Sequence, residues 1–273
     1  IKDRESKIIG YEIQYHGENQ AFGGDKAAPA NDFAAADTIY NFLTQNTDKL
    51  LRGSLNFMTF TVTLLMKKTP RLFDKNELVI QIDDSVLIHP LAMHMVQQYV
   101  KDGYQVAVNE FQFAPRYLAL LDTINYIKLN IQTTPMLTLK NIVDIAHSMN
   151  KKCIAVGIDQ EDLYQKALSL GVDAMEGTCV AEKLTTKAHS SGYLQSNFFR
   201  LLMAITKDEP DVEEIEQIIS VDATLTYGIL KVVNSCYFAL RHRVTTVRQA
   251  ITIMGLGELR QWAYLLSASN AEN

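Results

Sequence analysis

The chain has 273 residues, 47% of them apolar, enough to bury one large core or two ordinary ones, which excludes disorder as its dominant state. A net charge of −5 supplies no clustered basic face, so nucleic acid is excluded as an expected partner. The apolar runs fall far short of the roughly 20 residues that span a bilayer, and the opening IKDRESK lacks a signal-peptide core, so a cytoplasmic protein without membrane contact is expected. Ile1 stands where an initiator methionine would, so further chain is expected upstream. Cys153, Cys179 and Cys236 are an odd number, far apart, each among apolar neighbours. That pattern predicts buried thiols in a reducing compartment, with no disulfide framework and no cysteine-bound metal.

In chain order, β-branched apolar runs alternate with helical spacing. KIIGYEIQY (7–15) predicts a strand, FGG (22–24) a flexible connection, and AAADTIYNFLTQ from Ala34 a helix. LRGSLNF (51–57) and ELVIQID (77–83) predict the next strands, followed by a helix, LAMHMVQQYV, from Leu91. Strand YQVAVNEF (104–111), helix APRYLALLD from Ala114, strand YIKLNI (126–131) and helix LTLKNIVDIAHSMN from Leu137 continue the alternation. Strand KCIAVGI (152–158), a helix from Gln160 closed by Gly171, and strand DAMEG (173–177) complete it. Such alternation implies parallel strands joined by crossover helices, in a closed barrel or an open doubly wound sheet.

Beyond about Lys187 every segment carries helical spacing: 190–205, 211–220, 223–235, 247–255 and 258–269. LTTKAHSSG (184–192) reads as the linker, so an α/β part over 1–187 and an all-α part over 188–273 are expected. Asp211 with Glu214 three residues on suggests a capping box, and Asp222 and Thr246 suggest further caps.

Reacting groups of a parallel barrel sit at the carboxyl ends of its strands. There the sequence places Glu12, Asn56, Asp83, Asp84, Asn109, Glu110, Lys128, Asn130, Asp159 and Glu176. Converging oxygens are what Mg²⁺ or Mn²⁺ require for water activation. The competing expectation is that such residues cap loops.

From Ile1 to about Lys183 the order of residues resembles the EAL family of cyclic di-GMP phosphodiesterases, which implies a TIM-like (β/α) barrel, here without its first strand. GYEIQYH stands in place of the signature strand, with Glu12 at its metal-binding glutamate but Ile13 and Gln14 for alanine and leucine. On that resemblance Asn56 corresponds to an asparagine ligand and Asp84 to the glutamate of an ELTE-like motif, so any metal would sit on Glu12, Asn56 and Asp84. Asn109 and Glu110 replace paired aspartates, Asn130 replaces an aspartate beside the retained Lys128, and Val156 falls where a catalytic glutamate is carried. Asp159 follows that motif, Glu176 replaces a glutamine, and His16 replaces an arginine. A valine cannot accept a proton, so the resemblance implies a degenerate site with no catalytic residue and no cofactor, and no binding of cyclic di-GMP.

Ile218 to Trp262 resembles the HDOD family, helical relatives of HD-type phosphohydrolases. His242 alone cannot build a metal site there, so the resemblance implies protein partners and no catalysis. Asn234 and Ser235 are expected to hydrogen-bond backbone inside the bundle. The family's greater length implies an early stop here, with the face around Trp262, Tyr264 and Leu265 short of cover. A non-catalytic signal transduction protein is therefore expected. The rival is a residual phosphodiesterase or metal-dependent nucleotide receptor, using Mg²⁺ or Mn²⁺ on Glu12, Asn56, Asp84 and Lys128.

Overall fold

A computed structural model describes residues 1–14, 35, 39, 54–112, 114–180, 195–207, 209–234 and 243–269. Contacts divide the chain into two compact units: Ile1–Asn31, Leu51–Met66 and Lys75–Thr185 in one, Asp32–Leu50, Lys67–Asp74 and Thr186–Asn273 in the other.

The first unit is a nearly closed eight-stranded barrel. Its strands are β1 (Lys2–Asp3), β2 (Gly10–Ile13), β3 (Leu55–Thr59), β4 (Leu78–Ile82), β5 (Gln105–Val108), β6 (Tyr126–Asn130), β7 (Lys152–Val156) and β8 (Ala174–Glu176). They follow the order β1-β8-β7-β6-β5-β4-β3-β2, and β2 to β8 pair in parallel. Each strand expected from the sequence is present, most of them shortened, while β3 begins later than expected and runs two residues past Phe57. The place of the strand expected to be missing is taken by β1, which runs antiparallel to β8 and touches the approach to β2 through a bridge between Lys2 and Ile8. Two residues of that length carry too little periodicity to be read as a strand.

Alternation along the strands decides what fills the barrel. Phe57, Val79, Ala107, Tyr126, Ile154 and Ala174 point inward together with Ile1 as one apolar cluster. The Phe57 and Tyr126 rings meet edge to face, 5.2 Å apart. Gly10 permits the tight approach of β2 to β3, because a Cβ there would lie 2.6 Å from the Leu55 carbonyl oxygen.

Pro90–Asp102, Met136–Ser148 and Glu161–Leu170 are the crossover helices expected, and Gly103 and Gly171 close the first and the last with left-handed backbone. The helix expected from Ala114 stops after Pro115–Leu118. Three short elements were not legible: the helices Val62–Met66 and Asp84–Leu87 and a 3₁₀ turn at Thr69–Leu72. Of the helix expected from Ala34 only Ala35 and Ile39 are described, both helical and buried. The cysteine expectation needs correction: Cys153 is buried, but Cys179, in the turn after β8 where no sheet face covers it, is exposed. Cys236 lies outside the described residues, as do His16, Ser235 and His242.

The second unit holds the helices Gln195–Ile205, Val212–Ser220, Ala223–Val233 and Val247–Ser269. The last is interrupted at Gly255, whose φ of 73° and ψ of 167° are not helical. Asp222 caps its helix by accepting from the Thr224 and Leu225 N–H groups, and Thr246 accepts from Gln249. The capping box at Asp211 does not close, because Glu214 turns away to pair with Lys207. Asn234 donates to the Leu230 and Val244 carbonyls and accepts from the Val244 N–H, so it binds backbone as expected.

The exposed aromatic face expected near the end of the chain is not found. Trp262 and Leu265 are fully buried and Tyr264 is half-buried. The helix Val247–Ser269 packs on Thr69–Leu72, and the Lys67 ammonium stands 5.2 Å from the Tyr264 ring centre. Cover thus comes from a segment far upstream in sequence. No helix among the described residues is long and apolar enough to cross a membrane.

Two outcomes follow. Asp222→Ala removes the acceptor for two buried-end N–H groups and is expected to cost about 1–2 kcal/mol in urea unfolding. Trp262 is the sole tryptophan, so a fragment of residues 188–273, lacking Lys67–Asp74, is expected to emit at longer wavelength than the whole chain.

Candidate functional site

The carboxyl ends of the even-numbered strands contribute one inward side chain each: Glu12 from β2, Gln81 from β4, Lys128 from β6 and Glu176 from β8. Layers of four side chains from alternate strands are how a (β/α)₈ barrel fills its interior; this layer is polar. The Lys128 ammonium lies 2.7 Å from Glu12 Oε2 and 2.8 Å from Glu176 Oε2, and donates to Gln81 Oε1 at 2.9 Å. Gln81 Nε2 donates to Glu12 Oε1 at 2.8 Å and reaches Thr59 Oγ1 at 3.3 Å. Beneath, the Phe57 ring centre is 5.8 Å from the ammonium. Both oxygens of Glu12 are therefore engaged by protein donors.

The side chains of Lys128 and Glu12 are only 5% and 13% exposed, so ionisation is governed by burial and by the pair itself. Burial pushes the Glu12 carboxyl up, and the attraction of Lys128 opposes this without cancelling it. For Lys128 burial works to lower the pKa, but the carboxylates of Glu12 and Glu176 outweigh it and leave the ammonium above the ordinary lysine value.

Other residues expected at the site are placed elsewhere. Asn56 is buried, but its neighbours Leu55 and Phe57 belong to the interior cluster, so alternation turns it to the outer face. There its amide donates to the Ser54 and Glu77 carbonyls at 3.2 and 3.3 Å. Asp84 lies on the short helix after β4 and pairs with Arg116 at 2.6 Å, both groups exposed. Its neighbour Asp83 caps that helix by accepting from the Ser85 N–H. The set Glu12, Asn56 and Asp84 is thus not assembled.

The loops beyond β6, β7 and β8 account for more of the expected residues. Asn130 Oδ1 accepts from the Gln132 and Thr133 N–H groups, and Gln132 in turn donates to the Gly157 carbonyl and reaches Asp159 Oδ2. Asp159 Oδ1 accepts from the Thr178 N–H and hydroxyl at 3.2 and 3.0 Å. Asn130 and Asp159 tie loops. Gly177 is needed among them, since a Cβ there would collide with the Ile158 carbonyl. Asn109 is half-buried beyond β5, and the exposed Glu110 has a left-handed backbone, φ 50°. Val156 ends β7, paired in register with Asn130 and Glu176, and offers no donor or acceptor from its side chain.

Gln81 was missed in the sequence. The available signal was an amide in the middle of the apolar run LVIQI, where a fully buried polar side chain must find partners. As a donor set for divalent ions the layer fits poorly: two carboxylates share one ammonium, and the remaining partner is a neutral amide.

A barrel with a polar strand-end layer, joined to a helical unit, is the class that fold and site define. The model of the EAL domain family matches residues 52–183 and that of the HDOD domain family matches residues 193–272. The chain thus carries a segment similar to EAL domains followed by a segment similar to HDOD domains. It is 25% identical over 274 residues to YuxH of Bacillus subtilis (strain 168), covering 98% of this chain and 66% of YuxH. It is 22% identical over 272 residues to the cyclic di-GMP phosphodiesterase CdgJ of Vibrio cholerae, covering 98% of this chain and 62% of CdgJ. The chain spans less than two thirds of CdgJ and about two thirds of YuxH.

Two solved structures share the barrel fold. An EAL domain protein from Listeria monocytogenes EGD-e matches with a TM-score of 0.50 at 16% identity, covering 66% of this chain and 84% of that one. Bacillus subtilis YkuI, solved with its substrate c-di-GMP and calcium, matches with a TM-score of 0.51 at 17% identity, covering 69% and 55%.

Removing Lys128 leaves two buried carboxylates facing each other. Lys128→Met is expected to lower stability by about 3–5 kcal/mol near neutral pH, read by urea unfolding. Because the folded-state pKa of Lys128 is raised, its contribution is whole below the ordinary value of 10.5 and disappears only as pH rises through the folded value. The gap between variant and parent should therefore narrow above about pH 10.5, where the parent loses its ammonium, and narrow also toward acid pH, where the Glu12 carboxyl of the variant, raised by burial and without its cation, takes up a proton.

Proposed function

We propose that this protein is a cytoplasmic regulatory member of cyclic di-GMP signalling that does not hydrolyse the nucleotide and acts by binding protein partners through its HDOD domain. The observation that carries the reading is the engagement of both Glu12 oxygens by Lys128 and Gln81 within a buried layer. A carboxylate spent in this way, beside a neutral amide, is a weak starting point for holding Mg²⁺ or Mn²⁺. When bound, such ions would supply an activated water. At the strand end where the family resemblance expects a glutamate to receive its proton, this chain carries Val156, whose side chain accepts none. Loss of a general base alone costs about 10²- to 10⁴-fold in rate. The HDOD part has His242 as its one histidine beyond residue 189, too few for the His-Asp metal site of an HD hydrolase.

A second reading keeps the nucleotide as a ligand. It is favoured by YkuI, whose structure contains c-di-GMP and calcium, and by the phosphodiesterase name of CdgJ. In that reading the mouth above the polar layer serves as a receptor. The two are separated by calorimetric titration of cyclic di-GMP with Mg²⁺, Mn²⁺ or Ca²⁺, run beside a hydrolysis assay. The expected result is no turnover with any ion. Heat of binding without turnover would move the reading to a receptor, and turnover abolished by Glu12→Gln would overturn it.

A further inference from the structure

At the opposite ends of the strands, three side chains from three elements converge. Cys153 is the second residue of β7, and because Ile154 faces the interior cluster, Cys153 points outward beneath the helix Met136–Ser148. That helix delivers His147 in its last turn, and Asp173 immediately precedes β8. Asp173 is fixed on both sides. Its N–H donates to the Cys153 carbonyl at 2.9 Å, and its Oδ2 accepts from the Cys153 N–H at 2.7 Å while lying 2.8 Å from His147 Nε2. One imidazole nitrogen, one thiol sulfur and one carboxylate oxygen lie within 4.8 Å of one another.

We propose that His147, Cys153 and Asp173 form a binding site for a zinc-type divalent cation at the amino-terminal ends of the barrel strands. Metal–ligand bonds of about 2.0–2.3 Å in a tetrahedron put ligand atoms about 3.3–3.8 Å apart, so the side chains need shift only slightly to close on an ion. The donor set selects the ion: sulfur and imidazole suit zinc and its borderline neighbours, whereas Mg²⁺ and Ca²⁺ take oxygen. Sulfur is covered, while His147 and Asp173 are 37% and 36% exposed, so the ion enters from solvent and keeps a position for water. Burial, with the charge of Asp173, pushes the Cys153 thiol up to about 12. The empty site thus keeps its proton, and loading releases it to solvent.

The position defines the role. The amino-terminal face of a (β/α) barrel carries stability rather than chemistry. An ion there would pin the end of the helix Met136–Ser148 to β7 and to the entry of β8, without touching the Glu12–Lys128 layer. The inference is independent of whether the chain hydrolyses or binds a nucleotide. No spacing motif announces it, because the ligands are separated by unequal stretches and only the crossover geometry gathers them.

The test uses the whole chain, stripped with a chelator and then titrated with zinc by calorimetry and with cobalt by absorption. Expected are one tight equivalent of zinc, a melting temperature that rises with zinc, and a sulfur-to-cobalt charge-transfer band. The band should survive in Cys179→Ser/Cys236→Ser and vanish in Cys153→Ser. His147→Ala changes an exposed side chain, so its fold, checked by circular dichroism, should persist while zinc affinity falls at least about tenfold. His147→Ala therefore decides the matter even if Cys153→Ser fails to fold. Binding of zinc to His147→Ala as tightly as to the parent, or cobalt bound without the thiolate band, or no binding at all, overturns the proposal.

Discussion

The contact on which the barrel's strand-end region depends is the ammonium of Lys128 held between the carboxylates of Glu12 and Glu176. A charge so deep is costly to desolvate and is tolerated only where opposite charges and hydrogen bonds surround it. The two acids stand on strands that flank β1, and their carboxylates share one partly buried layer because the cation lies between them. Gln81 makes the arrangement directional: its carbonyl faces the ammonium and its amide faces Glu12, so each polar atom has one defined partner. The layer joins β2, β4, β6 and β8 across the interior, where an apolar layer would give attraction without such specific pairing. Phe57, lying under the ammonium, links it to the apolar cluster below.

Much of this fold was legible because parallel strands buried on both faces leave near-continuous apolar runs separated by helical spacing. LVIQI, YIKLN and KCIAV are such runs, and these three strands fall inside the segments expected. What escaped was short: β1, the helices Val62–Met66 and Asp84–Leu87, and the turn Thr69–Leu72, none long enough to repeat a periodic pattern. The cover of Trp262 escaped for a different reason. The segment that its helix packs on precedes β4, with most of the barrel between them in sequence, and no local pattern reports a contact of that separation.

The site was legible in part, and strand parity explains the division. Glu12, Lys128 and Glu176 occupy inward positions of their strands and meet in the layer. Asn56 was chosen for its chemistry, yet it neighbours the inward Phe57, and a one-residue step in a strand changes the face. Gln81 obeys the parity, two residues from the inward Val79, but an amide inside an apolar run reads first as a defect in the pattern. Asp84 fails because the chain has already turned into a helix there, so strand alternation no longer governs its direction.

The same residue types thus serve structure and chemistry, and occupancy distinguishes the two. Asn130 has an acceptor oxygen consumed by N–H groups of its own turn, and Asp159 one consumed by the Thr178 N–H of the next loop, which holds the rim of the barrel together. Glu12 has oxygens consumed by side chains of the layer. A carboxylate whose lone pairs are already satisfied in a low-dielectric interior would have to release those partners before accepting a cation, and its partner lysine would then be left to carry an uncompensated charge. Exchange of protein donors for a metal is therefore uphill at this layer unless the ion brings further ligands of its own, such as the phosphates of a nucleotide. An ion carried in by a nucleotide would meet that condition, whereas a bare ion would have to displace Lys128 and Gln81 from Glu12 by itself.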